Sequence, residues 1–299
     1  MRILIVGADG MIGYGLWAYF HHLSGREVVG SIRTKRDLAS FGTDWRSKVI
    51  VTGDIECDST LEMLFSNAEP SLVINCAGAT MHAEGGQDHL VALPANSILP
   101  HRLHKFARKH GARFIHLSTD CVYDGARGGY AENEPPNAKT VYGLSKALGE
   151  VTEADDALTI RTSPIGYEVS SRRGLLAWFL EQRGTIKGFT NAYFTGLTNL
   201  QLAKIIDGVF ADRPELHGLY HVTGPRISKF DLLVKCREAF EQSVEIDPDG
   251  ALVLDRSLDG SRLTAETGYS SPGWDQMLAE LADFARLYPA ATVTRGSAS

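Results

Sequence analysis

The feature that most constrains the fold is a series of short apolar segments that alternate with helix-like segments over the first half of the chain. These segments are continuously hydrophobic, which is typical of strands covered on both faces and therefore of a parallel sheet with right-handed crossovers. The sequence thus predicts an α/β fold, with a Rossmann-like, doubly wound parallel sheet and a smaller C-terminal α/β domain. The predicted strands are Ile3–Val6, Val28–Ile32, Val49–Thr52, Leu72–Asn75, Phe114–Leu117 and Leu158–Arg161.

Helix-like spacing occupies the segments between these strands and much of the chain after them. Pro94 predicts a break before the segment that begins at Asn96, and Pro135 and Pro136 predict a loop before Tyr142. The predicted helices are Ile12–Leu23, Ser59–Asn67, Asn96–His110, Val141–Ala154, Gly174–Gln182, Asn199–Phe210, Ser228–Phe240 (with Ser228 as N-cap) and Trp274–Leu287, and one further strand is predicted over Leu219–Val222.

Length and charge limit the classes of partner. With 299 residues the chain is long enough for one large or two modest domains. A net charge of -6 leaves no basic surplus for nucleic acid or an anionic membrane. No segment approaches the roughly 20 apolar residues that cross a bilayer. The cysteines lie far apart without a metal-ligand pattern, so we expect no metal site and a reduced, cytoplasmic protein; they are Cys57, Cys76, Cys121 and Cys236.

A glycine-rich turn follows the first predicted strand and opens the first predicted helix, with the spacing GxxGxxG. Glycines permit the tight turn and let the backbone approach a ligand, while the helix N-terminus favours a pyrophosphate. We expect a dinucleotide at Gly7, Gly10, Met11, Ile12 and Gly13, in a binding domain over residues 1–165. Residues 166–299 are then mainly a substrate-binding domain, from which part of 190–222 returns to the first domain.

The second predicted strand bears on cofactor choice, because an acid at its end would bind the adenosine ribose 2′-hydroxyl. No acid occurs there before Asp37, and Arg33 can stack on adenine or clamp a phosphate. The sequence therefore favours NADPH over NADH, with NADH as the open alternative.

Asn96 is a candidate helix cap or a polar link to the active site. Further candidate cofactor contacts are Asp54 and Ile55 after the third strand, and Cys76, Ala77 and Gly78 after the fourth.

A tyrosine and a lysine four residues apart indicate the chemistry. Tyr142 and Lys146 project from the same face of a predicted helix, and a nearby ammonium lowers the pKa of a phenol. Thr119 follows the fifth predicted strand, at the carboxyl edge where ligands bind in parallel sheets. We expect Tyr142 to donate a proton to a ketone, Lys146 to modify the tyrosine pKa and bind the ribose, and Thr119 to hold the carbonyl, with hydride from the cofactor.

Two segments carry a family resemblance: Ser118–Gly125 (STDCVYDG) and Tyr142–Glu150 (YGLSKALGE). With the C-terminal segments Tyr220–Gly224 and Ile227–Asp231, they resemble the extended short-chain dehydrogenase/reductase superfamily. Within it the chain is most similar to the dTDP-4-dehydrorhamnose reductase family of nucleotide-sugar 4-ketoreductases. The resemblance implies NAD(P)H-dependent reduction of the 4-keto group of a nucleotide-diphospho-6-deoxysugar in deoxysugar biosynthesis, with Asp120 as a substrate contact, and is compatible with a homodimer.

Several alternatives stay open. Cys121 stands where the resembling family has an aromatic residue, and with His82 or His221 it could support an epimerase or epimerase–reductase. A non-catalytic dinucleotide sensor or regulatory subunit is the alternative outside enzymes, although it would need no proton donor. The region Trp178–Thr198 could close over a sugar or a nucleobase, or form an ordinary interdomain core or loop. Arg161 and Arg173 are candidate diphosphate ligands or surface residues.

Overall fold

The computed structural model describes residues 1–35, 38, 41, 47–81, 86–168 and 174–288. Asp37, His82 and Arg173, which were considered above, lie outside the described residues. The strands are β1 Arg2–Val6, β2 Glu27–Ile32, β3 Val49–Val51, β4 Leu72–Asn75, β5 Arg113–Thr119, β6 Ala157–Thr162, β7 Pro164–Ile165, β8 Thr185–Phe189, β9 Ala192–Phe194, β10 Leu197–Thr198, β11 Gly218–His221, β12 Ile227–Ser228, β13 Glu245–Asp249 and β14 Leu254–Asp255.

The α-helices are α1 Met11–Tyr19, α2 Asp58–Ala68, α3 His89–Ala92, α4 Leu99–Lys109, α5 Val141–Leu148, α6 Leu175–Glu181, α7 Asn199–Ile205, α8 Lys229–Ala239, α9 Ser261–Thr267 and α10 Trp274–Leu287. Wider π-helical turns continue three of them, over Phe20–Ser24, Leu93–Ile98 and Ile206–Phe210. In the described part of the chain, no helix is both long and apolar enough to cross a membrane.

A seven-stranded sheet organises the first part of the chain, in the order β11-β6-β5-β4-β1-β2-β3. All its pairs are parallel, which confirms the predicted α/β, Rossmann-like class. Successive residues of β1 explain its continuous hydrophobicity. Ile3 and Ile5 enter the hydrophobic cluster on one face, whereas Leu4 and Val6 enter the cluster on the other.

The order of the strands reverses between β1 and β4, which are direct neighbours. The chain runs from β1 toward β3 on one side and from β4 toward β6 on the other, so the carboxyl ends of β1 and β4 border the same crevice. Such a reversal is where doubly wound sheets bind ligands. The segment after β4 therefore lies opposite the glycine turn after β1.

The predicted break at Pro94 is wrong. The chain remains helical from α3 through the π-helical turn into α4, and the amide of Leu99 donates to the carbonyl of Pro94, five residues back. A proline is tolerated where a helix changes its hydrogen-bond pattern, because the amide that proline lacks need not be satisfied in a regular ladder.

Helix α5 is shorter than the predicted span to Ala154, since it ends at Leu148. A Cβ on Gly149 would collide with the carbonyl of Asn96, so this position packs directly on a neighbouring backbone. The chain then turns Glu150 inward, and the amide of Val151 donates to Thr159 Oγ1 on β6 at 3.0 Å. Tertiary contacts therefore override the helical periodicity.

The C-terminal part adds smaller sheets beside the main one. Strand β8 pairs with β13, and β9 lies between β12 and β14. Ser228 caps α8, as predicted, by accepting from the amide of Asp231 at 3.0 Å. Phe194, in the segment considered as a closing element, is 2% exposed and packs on Trp274 with ring centroids 5.8 Å apart. Phe194 is therefore a core residue.

Candidate active site

The glycine turn after β1 has the geometry that its sequence suggests. Gly7 has φ +79°, and a Cβ there would lie 2.9 Å from the backbone of Ala77. A Cβ on Gly13 would collide with the carbonyl of Gly7. At Gly10, by contrast, a Cβ would meet nothing closer than 3.5 Å. Packing within the protein therefore requires two of the three glycines, and the third leaves open space in front of the turn.

The beginning of α1 faces this open space. Gly10 is the N-cap residue and makes no side-chain cap. The amide of Tyr14 donates to the carbonyl of Gly10 at 2.8 Å, so the amides of Met11, Ile12 and Gly13 precede the hydrogen-bond ladder of the helix. A helix start of this kind can receive a phosphate through its backbone N–H groups.

The ends of β2 and β3 form one side of the crevice. Arg33 is exposed, and its carbonyl accepts from the amide of Gly53 at 3.0 Å, so Arg33 and Asp54 lie on adjoining strand ends. Asp54 is exposed and its Oδ1 accepts from the amide of Glu56 at 2.8 Å, which makes it a turn residue as well. Ile55 is half-buried against the core.

Small residues after β4 form the opposite side. The amide of Ala77 donates to Asn75 Oδ1 at 3.1 Å, which turns the chain at the strand end. Burial raises the pKa of Cys76 to about 12, so its thiol stays protonated. A Cβ on Gly78 would lie 2.8 Å from Asn96 Oδ1. The absence of a side chain at Gly78 therefore makes room for Asn96.

Asn96 links this segment to α5. Its Oδ1 accepts from the amide of Ala79 at 2.8 Å, and its Nδ2 donates to the carbonyl of Ala79 at 2.9 Å. The same Nδ2 donates to Ser145 Oγ at 3.0 Å. Asn96 is fully buried and caps no helix. These contacts therefore favour the prediction that Asn96 is a polar link to the active site over the prediction that it is a helix cap.

Tyr142 and Thr119 come together at the carboxyl edge of β5. Thr140 caps α5 by accepting from the amide of Gly143 at 3.1 Å, and Tyr142 follows in the first turn. The Tyr142 hydroxyl lies close enough to the Thr119 side chain for that side chain to lower its pKa. Thr119 Oγ1 also lies 3.1 Å from Asp120 Oδ1 and accepts from the amide of Cys121 at 3.1 Å. The two hydroxyls thus share one site beside a buried carboxylate.

Lys146 lies one turn along the helix and is 6% exposed. Its Nζ donates to the carbonyl of Leu117 at 2.7 Å and lies 3.4 Å from Nε2 of His116. Burial lowers the pKa of Lys146 to about 8, although Glu150 and Cys76 act in the opposite direction. Burial and the Lys146 charge also hold the pKa of His116 well below its usual range, so this ring is neutral.

The pKa of Tyr142 differs from the expectation that Lys146 would lower it. Burial raises the pKa above its ordinary value, and the nearby Cys121 and Asp120 raise it further. The groups that lower it are the Thr119 hydrogen bond and the charge of Arg256. The phenol is therefore firmly protonated, which suits a proton donor.

Arg256 and Lys229 are site residues that the sequence interpretation missed. Arg256 follows β14, donates to the carbonyl of Tyr123 at 3.2 Å and lies 3.5 Å from Cys121 Sγ. The ammonium of Lys229, the first residue of α8, lies 3.8 Å from the ring centroid of Phe194. Lys229 lies in the segment Ile227–Asp231 that carries part of the family resemblance, whereas Arg256 belongs to none of the motifs named above.

Two other expectations are corrected by burial. Arg161 is 2% exposed and pairs with Glu150 through two hydrogen bonds of 2.8 and 2.7 Å, so it is a structural ion pair and not a diphosphate ligand. His221 is fully buried beside the carbonyl of Asp259, at 3.1 Å. Burial and the nearby Asp120 raise the pKa of Cys121 to about 12, which leaves it a neutral thiol.

The described residues contain no group of three or more His, Cys, Asp or Glu side chains that could hold a metal ion. The candidate site therefore comprises a glycine turn after β1 and, at the carboxyl edge of β5, a protonated phenol, a threonine hydroxyl and a buried lysine.

Comparisons with known proteins place the chain in a family. Residues 1–249 match the family model described as RmlD substrate binding domain. A relative from Streptomyces antibioticus, named probable dTDP-4,6-dihydroxy-2-methyloxan-3-one 4-ketoreductase, is 29% identical over 240 residues, which cover 75% of this chain and 71% of that protein. The dTDP-4-dehydrorhamnose reductase of Burkholderia thailandensis is 30% identical over 167 residues, which cover 54% of this chain and 50% of that enzyme.

Among solved structures, the dTDP-4-dehydrorhamnose reductase of Bacillus anthracis, crystallised in complex with NADP, superposes with a TM-score of 0.74. The alignment covers 94% of this chain and 98% of that one, at 20% sequence identity. At this identity the similarity establishes the shared fold across nearly the whole chain.

Proposed function

Because the chain belongs to the RmlD substrate binding domain family, we propose that it catalyses NAD(P)H-dependent reduction of the 4-keto group of a nucleotide-diphospho-6-deoxysugar. The observation that carries the proposal is the meeting of the Tyr142 and Thr119 hydroxyls at the carboxyl edge of the sheet, next to buried Lys146. The names of the two curated relatives, both reductases acting on dTDP-sugars, support the same reaction class.

The crevice suits a nicotinamide dinucleotide. Gly10 leaves space that a Cβ would occupy, and Met11, Ile12 and Gly13 offer amides at the start of α1. When bound, the reduced cofactor supplies the hydride. Arg33, exposed at the end of β2, favours NADPH over NADH because it can clamp a 2′-phosphate. Further contacts are assigned to Gly7, Asp54, Ile55, Cys76, Ala77 and Gly78.

The protein's side chains supply the proton, hold the carbonyl and bind the cofactor and the sugar. Tyr142 donates its phenolic proton to the carbonyl oxygen that becomes the new hydroxyl. Thr119 turns its hydroxyl proton from Asp120 Oδ1 to that oxygen and holds the carbonyl in place. Lys146 binds the cofactor ribose, while the Thr119 hydroxyl and the charge of Arg256 stabilise the phenolate left after proton transfer. Asp120, 5% exposed beside Thr119, contacts the sugar.

The domain organisation follows from this assignment. Residues 1–165 form the dinucleotide-binding domain, and residues 166–299 mainly form the substrate-binding domain, with part of 190–222 returning to the first. The pairing of β11 with β6 and the packing of α7 on α1 support that return. We also assign the protein to the cytoplasm and, from the family resemblance, to a homodimer.

Replacement of Tyr142 by Phe tests the proposal. Tyr142→Phe should reduce NADPH oxidation with a 4-keto nucleotide sugar by at least a hundredfold, because the proton donor is lost, while the dissociation constant of NADPH stays within about twofold. Several 4-keto-6-deoxy nucleotide sugars should be assayed with each nicotinamide cofactor. Turnover by Tyr142→Phe close to that of the unchanged protein would remove Tyr142 from its role.

The alternatives gain no support from the site. An epimerase using Cys121 as a base would need a thiolate, and the environment of Cys121 favours the thiol. Incorporation of solvent deuterium at the sugar carbons that flank the ketone would separate epimerisation from reduction. A dinucleotide sensor would bind NADPH without oxidising it in the presence of any 4-keto sugar nucleotide.

A further inference from the structure

A buried histidine links Asn75 to Lys146 and has no role in the proposed reaction. His116 has no exposed surface, and its Nε2 lies 3.4 Å from Lys146 Nζ. On the other side of the ring, Nδ1 lies 3.1 Å from Asn75 Nδ2. Asn75 ends β4 and pairs in register with His116 on β5, so the two side chains project from the same face of the sheet. The three polar groups therefore form one continuous chain inside the protein.

Asn75 determines the direction of the hydrogen bonds in this chain. Its Oδ1 accepts from the backbone amide of Ala77 at 3.1 Å, and in the described part of the molecule that amide has no other acceptor. Reversing the side-chain amide would place Nδ2 against this N–H, so that two donors would face each other. Asn75 has no exposed surface, so water cannot relieve that conflict. Nδ2 of Asn75 therefore points to His116 as a donor.

This direction decides which ring nitrogen of His116 carries the proton. A neutral imidazole has one N–H group and one acceptor nitrogen. Because Nδ1 accepts from Asn75, the proton lies on Nε2, which is the nitrogen that faces Lys146. Burial, the Lys146 charge and the more distant His101 hold the pKa of His116 well below its usual range. The ring therefore takes up no second proton, and its tautomer is fixed.

The fixed tautomer matches only one protonation state of Lys146. An ammonium has three donors and no acceptor, so it would oppose the Nε2–H of His116 with another donor. The neutral amine still donates to the carbonyl of Leu117, at 2.7 Å, and offers its lone pair to Nε2–H. Burial lowers the pKa of Lys146 to about 8, whereas Glu150 and Cys76, the other titratable groups that face it, act in the opposite direction.

We propose that Asn75 and His116 are positioning residues that act through Lys146. Asn75 fixes the tautomer of His116, and the Nε2–H of His116 donates to the Lys146 nitrogen, which favours the amine over the ammonium. The two residues thereby limit the pH range in which Lys146 is charged. This inference rests on the proposed function, because it takes Lys146 as the residue that binds the cofactor ribose.

The tautomer is measured in the unchanged full chain without substrate. In protein labelled with 15N at the histidine rings, long-range correlation spectra distinguish a nitrogen that carries a proton from one that does not. His116 is the ring whose signals are missing from His116→Phe or from His116→Gln. We expect a bare Nδ1 and a protonated Nε2 between about pH 6 and 10. A proton on Nδ1, alone or together with one on Nε2, would overturn the proposal.

A second measurement tests the bond between His116 and Lys146. The 13Cε signal of Lys146, assigned with Lys146→Met, reports its titration. The Nε2–H proton of His116 should shift downfield with the same midpoint, because the amine then accepts from it, and this step should be absent from Lys146→Met. An Nε2–H signal that ignores the titration of Lys146 would also overturn the proposal.

Replacement of His116 by Phe removes the donor and keeps a flat ring beside Phe114, which lies parallel to the His116 ring. The pKa of Lys146 should rise by about one unit, because its neutral form loses a hydrogen bond. His221→Phe is the matched control, since His221 is equally buried but its ring bonds to the carbonyl of Asp259, and it should leave the Lys146 titration unchanged.

The same Lys146 pKa in both folded variants would exclude a role for His116 in its titration. With a reducible 4-keto nucleotide sugar, the alkaline limb of the pH–rate profile should move upward in His116→Phe only. Because the spectra need no turnover, failure to find such a sugar would overturn the proposed reaction and not the assignment of Asn75 and His116.

Discussion

Asn96 donates a hydrogen bond of 3.0 Å from its side-chain amide to the hydroxyl of Ser145, and this bond joins the two halves of the candidate site. Asn96 also binds both backbone polar groups of Ala79, which follows the segment assigned to the cofactor. Ser145 immediately precedes Lys146, and its backbone carbonyl accepts from Ser97 at 2.8 Å. The buried amide of Asn96 therefore helps to fix the position of α5 relative to the segment after β4.

Replacing Asn96 with Ala should lower both stability and activity. The change leaves buried groups of Ala79 and Ser145 without partners, at a cost of about 2 kcal/mol or more in the free energy of unfolding. It also loosens α5, so kcat should fall further than NADPH affinity. Urea unfolding and steady-state kinetics measure both, with Asn67→Ala on the exposed face of α2 as the control. Equal stability of the two variants would contradict the role of Asn96.

Gly10 should matter for the ligand and not for the fold. Its φ of -74° is open to other residues, and a Cβ there has no protein atom closer than 3.5 Å. Gly10→Ala should keep the melting temperature within about 2 °C while weakening NADPH binding at least tenfold, because the methyl group occupies the space in front of the turn. Gly13→Ala should instead unfold the turn, since its Cβ meets the carbonyl of Gly7. Full NADPH affinity in Gly10→Ala would show that no ligand approaches there.

Thr119→Val should reduce kcat by roughly a hundredfold, the usual effect of removing one donor to a developing oxyanion. Because the Thr119 side chain lowers the pKa of Tyr142, that pKa should also rise further in the variant, which makes the phenol a weaker proton donor. Thr162→Val is a matched control. Thr162, the last residue of β6, pairs in register with Thr119, the last residue of β5. The buried hydroxyl of Thr162 has no hydrogen-bond partner among the described residues. The same loss of kcat in both variants would deny Thr119 a specific role.

Lys146 should make the free energy of unfolding depend on pH in the alkaline range. Its pKa is about 8 in the folded protein and about 10.5 when unfolded. Below pH 8 both states are protonated, and the folded state bears the full cost of the buried charge. Between pH 8 and 10.5 the folded state releases its proton first, so stability rises with pH. A pKa shift of this size changes the free energy of unfolding by about 3 kcal/mol.

Comparison with Lys146→Met isolates this contribution. The difference in free energy of unfolding between the variant and the unchanged protein should be largest near pH 7 and should shrink toward pH 10. Urea unfolding of the cofactor-free proteins at intervals of one pH unit measures it. A difference that stays constant over this range would mean that Lys146 titrates at its ordinary pKa.

The sheet was predictable because its strands are covered on both faces. Leu4 and Ile5 point to opposite hydrophobic clusters, and such strands are continuously apolar whatever follows them in the chain. The glycine turn was predictable for a similar reason, since Gly7 adopts a φ of +79° that other residues rarely reach. The same local reasoning failed at Pro94, because a π-helical turn accommodates a residue that a regular ladder would exclude.

The sequence by itself determined the α/β class, the position of the glycine turn and the order in which Thr119, Tyr142 and Lys146 occur, because each depends on local periodicity or on the needs of one turn. Only the tertiary structure decided that Arg161 forms a buried ion pair with Glu150. It also decided that Arg256 and Lys229 reach the edge where Tyr142 lies. Charges far apart in the chain acquire their partners and their pKa values from burial and from neighbours that folding supplies, and no spacing along the sequence encodes these.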